Sequence, residues 1–445
     1  MKRAAVPVLC FVFLVAATRR RAVAPPTVGP VNIVINRSMV LTDPAVIDGI
    51  TLQRVLEALI DRAGVNMTPL DLYKQWFDTQ NPKPGMFVAD APHCDDFITD
   101  GKPSFNGYVR RCPTPEGILA TTDPFLAHDY VTLGVINRFD QTPADGSNCG
   151  QYRIIFERRD HNVATSKVDV IFEGVLPNPN PPAGIFACRA VAQYWADLSN
   201  VDSALERRTR VERFFFDGIP GFEPLLMQEH LTNGGRVRNK HVTSAHAGIP
   251  RFYQFLVEKR CSGSNCRLVM QPDVLENATF GALYDASLDT PYGTQFREEF
   301  IRAIPTLALK DINYYVNFSK QALLVESDPS DDFITFAAGP PYGHGVATSQ
   351  AGKDFDARVR AELARIGSTL TPQQLTARAD TQHCTGCHLG GTPIGDGMLF
   401  PRASNDSHVT PSGMSQALQD VFAPNRAKIL RDFLMFGTPP PVHVN

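Results

Sequence analysis

The chain lacks a strong excess of charge of either sign. Its 445 residues carry 43 Lys and Arg against 46 Asp and Glu, a formal net charge of −3. Without a basic footprint, nucleic acid is not an expected partner. The sequence also lacks any later apolar run approaching the roughly 20 residues that a membrane helix needs. It shows no internal repeat. The G-x-S-x-G, H-E-x-x-H and P-loop patterns are absent, so no nucleophile elbow, zinc-protease helix or phosphate cradle is signalled. Glycine and proline number 32 and 35, which makes a loop-rich chain short of low complexity. What is present is a composition with 43% hydrophobic and 20% charged residues, enough for a packed core. The length suggests two or three domains.

The amino terminus begins Met1-Lys2-Arg3 and continues with an apolar run from Ala4 to Ala17. A basic start followed by a short apolar stretch is the secretory signal pattern. Cleavage fits after Ala17 or after Ala24. The Arg19-Arg20-Arg21 cluster leaves an uncleaved anchor as the alternative. With residues 1–24 assigned to the signal, the expected location is periplasmic or secreted. Nine cysteines agree with that compartment. Cys10 leaves with the signal, Cys384 and Cys387 belong to a motif of their own, and six remain to form three disulfides. Neighbour pairing gives Cys94–Cys112, Cys149–Cys188 and Cys261–Cys266.

Leu52, Val55, Leu56, Leu59 and Ile60 repeat at helical spacing and Gly64 follows them, an amphipathic helix with a glycine stop. Thr68-Pro69 opens a second helix. Segments 131–139, 152–157 and 168–172 are short, β-branched and aromatic, and read as strands. Helical patterns return near residues 190–198 and 295–303. The Gly- and Pro-rich stretch from Ala337 to Gly345 marks a linker. Beyond it, helical periodicity dominates up to Leu434. The expected organisation is an α+β body with disulfides over 25–336, a linker at 337–352, and a small all-α module over 353–445.

That last region holds Cys384-Thr385-Gly386-Cys387-His388. C-x-x-C-H is the attachment pattern of c-type haem. One helical turn puts both thiols on the same side, so each can add to a vinyl group. The next histidine then reaches the iron as proximal ligand. Zinc would need a second ligand pair, and the nearby residues offer His383 and His408 alone. A disulfide between Cys384 and Cys387 is the third reading.

The tail resembles class I c-type cytochromes, on the strength of C-x-x-C-H followed by Met414 just before a final helix. The resemblance covers about 95 residues and implies one haem c attached to Cys384 and Cys387, with iron bound by His388. It implies Met414 as distal ligand. The 26 positions from His388 to Met414 are fewer than the family usually has, and His408 is the rival. Two C-x-x-C-H motifs would be needed for a di-haem peroxidase, and this chain has one. In the body, Arg138-Phe139-Asp140, Pro143-Ala144-Asp145-Gly146 and Cys149-Gly150-Gln151-Tyr152-Arg153 resemble a segment of secreted bacterial proteins of uncharacterised function. Some of those carry a C-x-x-C-H tail.

Arg138 and Arg153 are expected to pair with Asp140 and Asp145 and lock the turn between two strands, or else to line an anion or substrate pocket. The Asn233–Asn239 stretch, with Arg236 and Arg238, carries the same two readings. His241 and His246 read as unrelated loop residues. The expected function is one-electron transfer by an exported mono-haem protein, toward a redox partner protein or a small-molecule electron donor. Two alternatives stand beside it: a haem oxidoreductase with its substrate pocket in the body, and a secreted binding or structural protein without haem.

Overall fold

The computed structural model describes residues 31–87, 91–126, 129–159, 167–242, 250–274, 281–290, 292–314, 339–381, 393–399, 409–410 and 413–441. Residues 1–24, expected to form the signal, and Cys384, Cys387, His388, His408 and His246 lie outside the described residues.

The chain enters through two short helices, α1 (Ile35–Ser38) and α2 (Pro44–Ile47), with strand β1 (Val40–Leu41) between them. Helix α3 (Leu52–Ala63) forms on the expected spacing. Thr51 Oγ1 accepts from the Arg54 N–H at 3.2 Å, and Gly64 closes the helix in the left-handed conformation at φ +60°. Helix α4 (Pro69–Asp78) opens on a capping box between Thr68 and Asp71. It buries Trp76, whose ring meets Phe172 and Phe255 edge-on at 6.0 and 5.9 Å. Those two phenylalanines belong to the main sheet, so α4 is fastened across it.

Three short strands, β2 (Ile98–Thr99), β3 (Lys102–Phe105) and β4 (Tyr108–Val109), pair into a small antiparallel sheet of their own. The main sheet follows with β5 (Tyr130–Arg138), β6 (Asn148–Arg158), β7 (Lys167–Pro177), β8 (Arg236–Val242), β9 (Pro250–Ser262) and β10 (Asn265–Asp273). Helices α5 (Arg189–Asp197) and α6 (Ala204–Glu212) interrupt it after β7. Strand order is β1-β5-β6-β7-β8-β9-β10, antiparallel throughout. The three strands expected from sequence lie within β5, β6 and β7, shifted by one residue at the end of β5.

Alternation gives the sheet two unlike faces. On one, the rows Val135–Ile154–Phe172–Val237–Phe255 and Tyr152–Gly174 are apolar and pack under the helices. On the other, the row Ile136–Arg153–Glu173–Arg236 runs in direct cross-strand register, followed by Ile155–Ile171–Arg238–Gln254–Asp273. The three disulfides Cys94–Cys112, Cys149–Cys188 and Cys261–Cys266 are the expected neighbour pairs, with Cα separations of 5.4, 5.2 and 4.0 Å.

Helices α7 (Gly281–Tyr284), α8 (Gly293–Leu307), α9 (Gly339–Thr348), α10 (Gln350–Arg365) and α11 (Pro372–Asp380) build a second core around Phe296, Phe300, Tyr342, Phe355 and Val359. Residues 339–348, expected in the linker, are helical. Pro340 and Pro341 sit in the first turn of α9, where a missing N–H removes no helical bond, and Tyr342 is buried against Phe355. The chain ends with β11 (Val409–Thr410), β12 (Gly413–Met414) and α12 (Ala423–Phe436).

The described residues do not show the expected separate all-helical module over 353–445. Helices α9–α11 share their core with α7 and α8, which precede residue 337. Helix α12 buries Leu430, Phe433 and Leu434 in the core beneath the sheet, where Phe433 meets Phe139 at 4.9 Å. An amphipathic face states that a helix packs, and the nearest complementary surface decides where. Among the described residues, no helix is long and apolar enough to cross a membrane.

Candidate functional site

Helix α11 ends four residues before Cys384, and the described chain resumes at Pro393. Arg378, fully buried on α11, holds both sides of that gap. Its Nε donates to the Ile394 carbonyl at 2.6 Å and a terminal nitrogen donates to Asp396 at 2.9 Å. Its other terminal nitrogen donates to the carbonyls of Leu307 and Leu309 at 3.0 and 2.7 Å. A guanidinium in a closed site needs this number of acceptors to offset its lost hydration. The segment that carries the C-x-x-C-H residues therefore departs and returns beside the C-terminal end of α8.

Met414 lies on β12 opposite Val409 and is half-buried against the sheet-side core. Met398 packs on the second core. Six of the nine cysteines are used in the three disulfides, which leaves Cys10, Cys384 and Cys387 outside that framework. Among the described residues, no group of three His, Cys, Asp or Glu is arranged to hold a metal ion.

The arginine-bearing turns of the body converge on a second place. A cavity of about 870 Å³ opens over the polar face of β6, β7 and β8. Arg153, Glu173, Arg236 and Arg238 line it, with Ser147 and Asn148 from the 140–150 turn and Asn233 and Gly234 from the 233–239 turn. The two segments singled out separately in the sequence thus face one another.

Half of the expected ion pairing is present. Arg138 binds Asp140 through Nε at 3.0 Å and a terminal nitrogen at 2.9 Å. Arg153 does not pair with Asp145. It reaches Glu173 at 3.2 Å, and also donates to the Gln151 amide oxygen at 2.9 and 2.7 Å. Asp145 instead accepts from the Ser147 N–H at 2.8 Å and shapes the turn. The reason is register: Glu173 stands directly across from Arg153 on the neighbouring strand, and Asp145 does not.

Glu173 is almost fully buried and receives three guanidinia: Arg153 at 3.2 Å, Arg236 at 3.5 Å and Arg238 at 3.7 Å. Burial alone would raise its carboxyl, but Arg153, Arg238, Arg236 and Arg138 outweigh that and hold it at about 2. Burial likewise pulls Arg153 down to about 10, against the attraction of Glu173. His230, at the cavity wall, is held below its ordinary value by burial, although the Leu225 carbonyl at 3.2 Å opposes this.

The cavity wall depends on one close approach. Gly146 has φ +70°, and a Cβ there would lie 2.3 Å from the Ile185 nitrogen. Asn178 then ties the 140–150 turn to residues 184–185 by donating to the Gly146 and Gly184 carbonyls at 2.6 and 2.9 Å. Glu173 and Gln254 were not singled out from the sequence. The alternation in 167–177 and 250–262 is the signal that could have placed them on a polar face. No family model, curated protein or solved structure matches this chain.

Proposed function

We propose that the protein is an exported mono-haem c protein whose activity is one-electron transfer. The observation that carries this reading is the cysteine assignment. Six cysteines close three disulfides among themselves, so the thiols of Cys384-Thr385-Gly386-Cys387-His388 are not drawn into that framework and keep the spacing that haem attachment requires. Disulfides also fit an oxidising compartment, where such attachment takes place.

In this reading Cys384 and Cys387 would hold the group covalently, and His388, with Met414 or His408, would ligate its iron. When bound, the group would supply a one-electron redox couple, whose potential a methionine ligand would raise. Buried Arg378 ties helix α11 to Ile394 and Asp396, joining the described residues on either side of the motif-bearing segment. The electron partner is a redox protein or a small-molecule donor. The cavity beside Glu173 favours a second reading, a haem oxidoreductase whose substrate sits in the body.

The test is export from a host with c-type maturation machinery, followed by a reduced-minus-oxidised absorption spectrum and acid-acetone extraction. A sharp c-type band that resists extraction is the expected result, and Cys384→Ser with Cys387→Ser abolishes it. A correctly folded but colourless protein overturns the proposal. A weak near-infrared sulfur-to-iron band in the oxidised form selects Met414 over His408.

A further inference from the structure

The polar face of the sheet contains more organised charge than its stability needs. Burying an ion pair gains little over an apolar pair of the same shape, because desolvation offsets the attraction. Here three guanidinia point at one buried carboxylate on the floor of an open cavity. All three take neutral partners as well, Arg236 donating to Gln254 at 3.4 Å. Arg153 donates to Gln151 at 2.7 Å, and Arg238 donates to Gln254 at 3.2 Å. Gln254 passes the polarity on by donating to Asp273 at 2.7 Å. The arginines are thereby fixed in position by amides, whose oxygens carry only partial charge. The Nε and a terminal nitrogen of Arg153 and of Arg238 each grip one amide oxygen, a fork geometry that a carboxylate or phosphate oxygen would take over from the weaker amide acceptor.

The rest of the lining narrows the ligand. Gln141, Ser147, Asn148 and Asn233 bring amide and hydroxyl groups to the walls. These suit hydroxyls on a ligand better than an alkyl chain. Two carboxylates, Glu223 and Glu229, also line the cavity, and the Glu223 side chain is 71% exposed. They oppose a ligand that is negative along its whole length, and so point to a single anionic head seated on the floor. The volume of about 870 Å³ falls within the range of small-molecule sites.

We propose that this cavity binds a small polyhydroxylated oxyanion, a sugar acid or a sugar phosphate, with its anionic head on Arg153 and Arg238 and its hydroxyls on the wall amides. The site is independent of haem, so the haem-free chain binds as well, and a colourless protein does not weaken the claim.

Isothermal titration of the purified full-length chain tests it, with gluconate and glucose 6-phosphate as probes and glucose as the neutral control. One anion is expected to bind saturably at one per chain while glucose does not, and the affinity falls as ionic strength rises. Gluconate binding assigns a carboxylate head, and glucose 6-phosphate binding assigns a phosphate. Arg238→Gln is expected to weaken binding by about tenfold to a hundredfold, the usual loss for a charge-assisted hydrogen bond. Arg238→Lys, which keeps the charge and removes the fork, falls between the two and covers the case in which the glutamine variant does not fold. Binding of neither anion, equal binding of glucose, or full affinity in both Arg238 variants overturns the proposal.

Discussion

Replacing Phe433 by alanine separates two views of the carboxyl terminus. If α12 belonged to an independent helical module, its loss would leave the sheet untouched. In the structure Phe433 is fully buried, with Phe139 at 4.9 Å and Phe186 at 6.4 Å between ring centroids. Phe139 follows directly on β5, so the ring is part of the core beneath the sheet. Truncating a buried phenylalanine costs about 3–5 kcal/mol, the sum of lost burial and the cavity left behind. The slowest-exchanging amides report the free energy of unfolding the unit they belong to. Phe433→Ala is therefore expected to speed hydrogen exchange at central amides of β5–β7 by about two to four orders of magnitude, at about 1.4 kcal/mol per factor of ten. Phe355→Ala, in the second core, provides the internal comparison and acts chiefly on α8–α10. Unchanged exchange in β5–β7 with faster exchange confined to α12 would refute the assignment of this helix to the sheet core.

Two other perturbations follow from the same packing. In the loop-entropy description, removing Cys149–Cys188, which spans 39 residues, destabilises the protein by about 1.8 kcal/mol more than removing Cys261–Cys266, which spans 5. Denaturant midpoints of the paired Cys→Ser variants check this, and equal losses count against it. Glu173 is the acid-sensitive group of the sheet: its folded value of about 2 lies below the ordinary 4.5. Its contribution is fully present above pH 4.5 and disappears as pH falls toward 2. Melting temperature recorded from pH 6 to pH 2 should fall less steeply in Glu173→Gln than in the parent, and parallel curves would rule the assignment out.

What could be read from the sequence was local. Gly64 ends α3 and Thr68-Pro69 opens α4, both through contacts within four residues. The three disulfides join cysteines that are also neighbours in the chain order. Strands β8, β9 and β10 escaped notice because their polar face carries Arg236, Arg238, Gln254 and Asp273, which mask the β-branched signature. The proline- and glycine-rich stretch before residue 348 was misleading for a related reason. Its prolines occupy a helix start, a position where they do not break the helix. Arg153 shows the limit of motif reading. Asp145 is closer in sequence, but strand pairing presents Glu173, twenty residues away. The Cys384-Thr385-Gly386-Cys387-His388 motif was read from its spacing alone and lies outside the described residues.

The docking of α12 beneath the sheet also sets an order of events. Arg189 donates to the Leu434 carbonyl across 245 residues of chain, and Phe433 reaches back almost as far as the first long strand of the sheet. Contacts of such sequence separation close late and slowly. The sheet core is therefore complete only once α12 has docked. A tail truncated after residue 422 would leave the body itself unfinished.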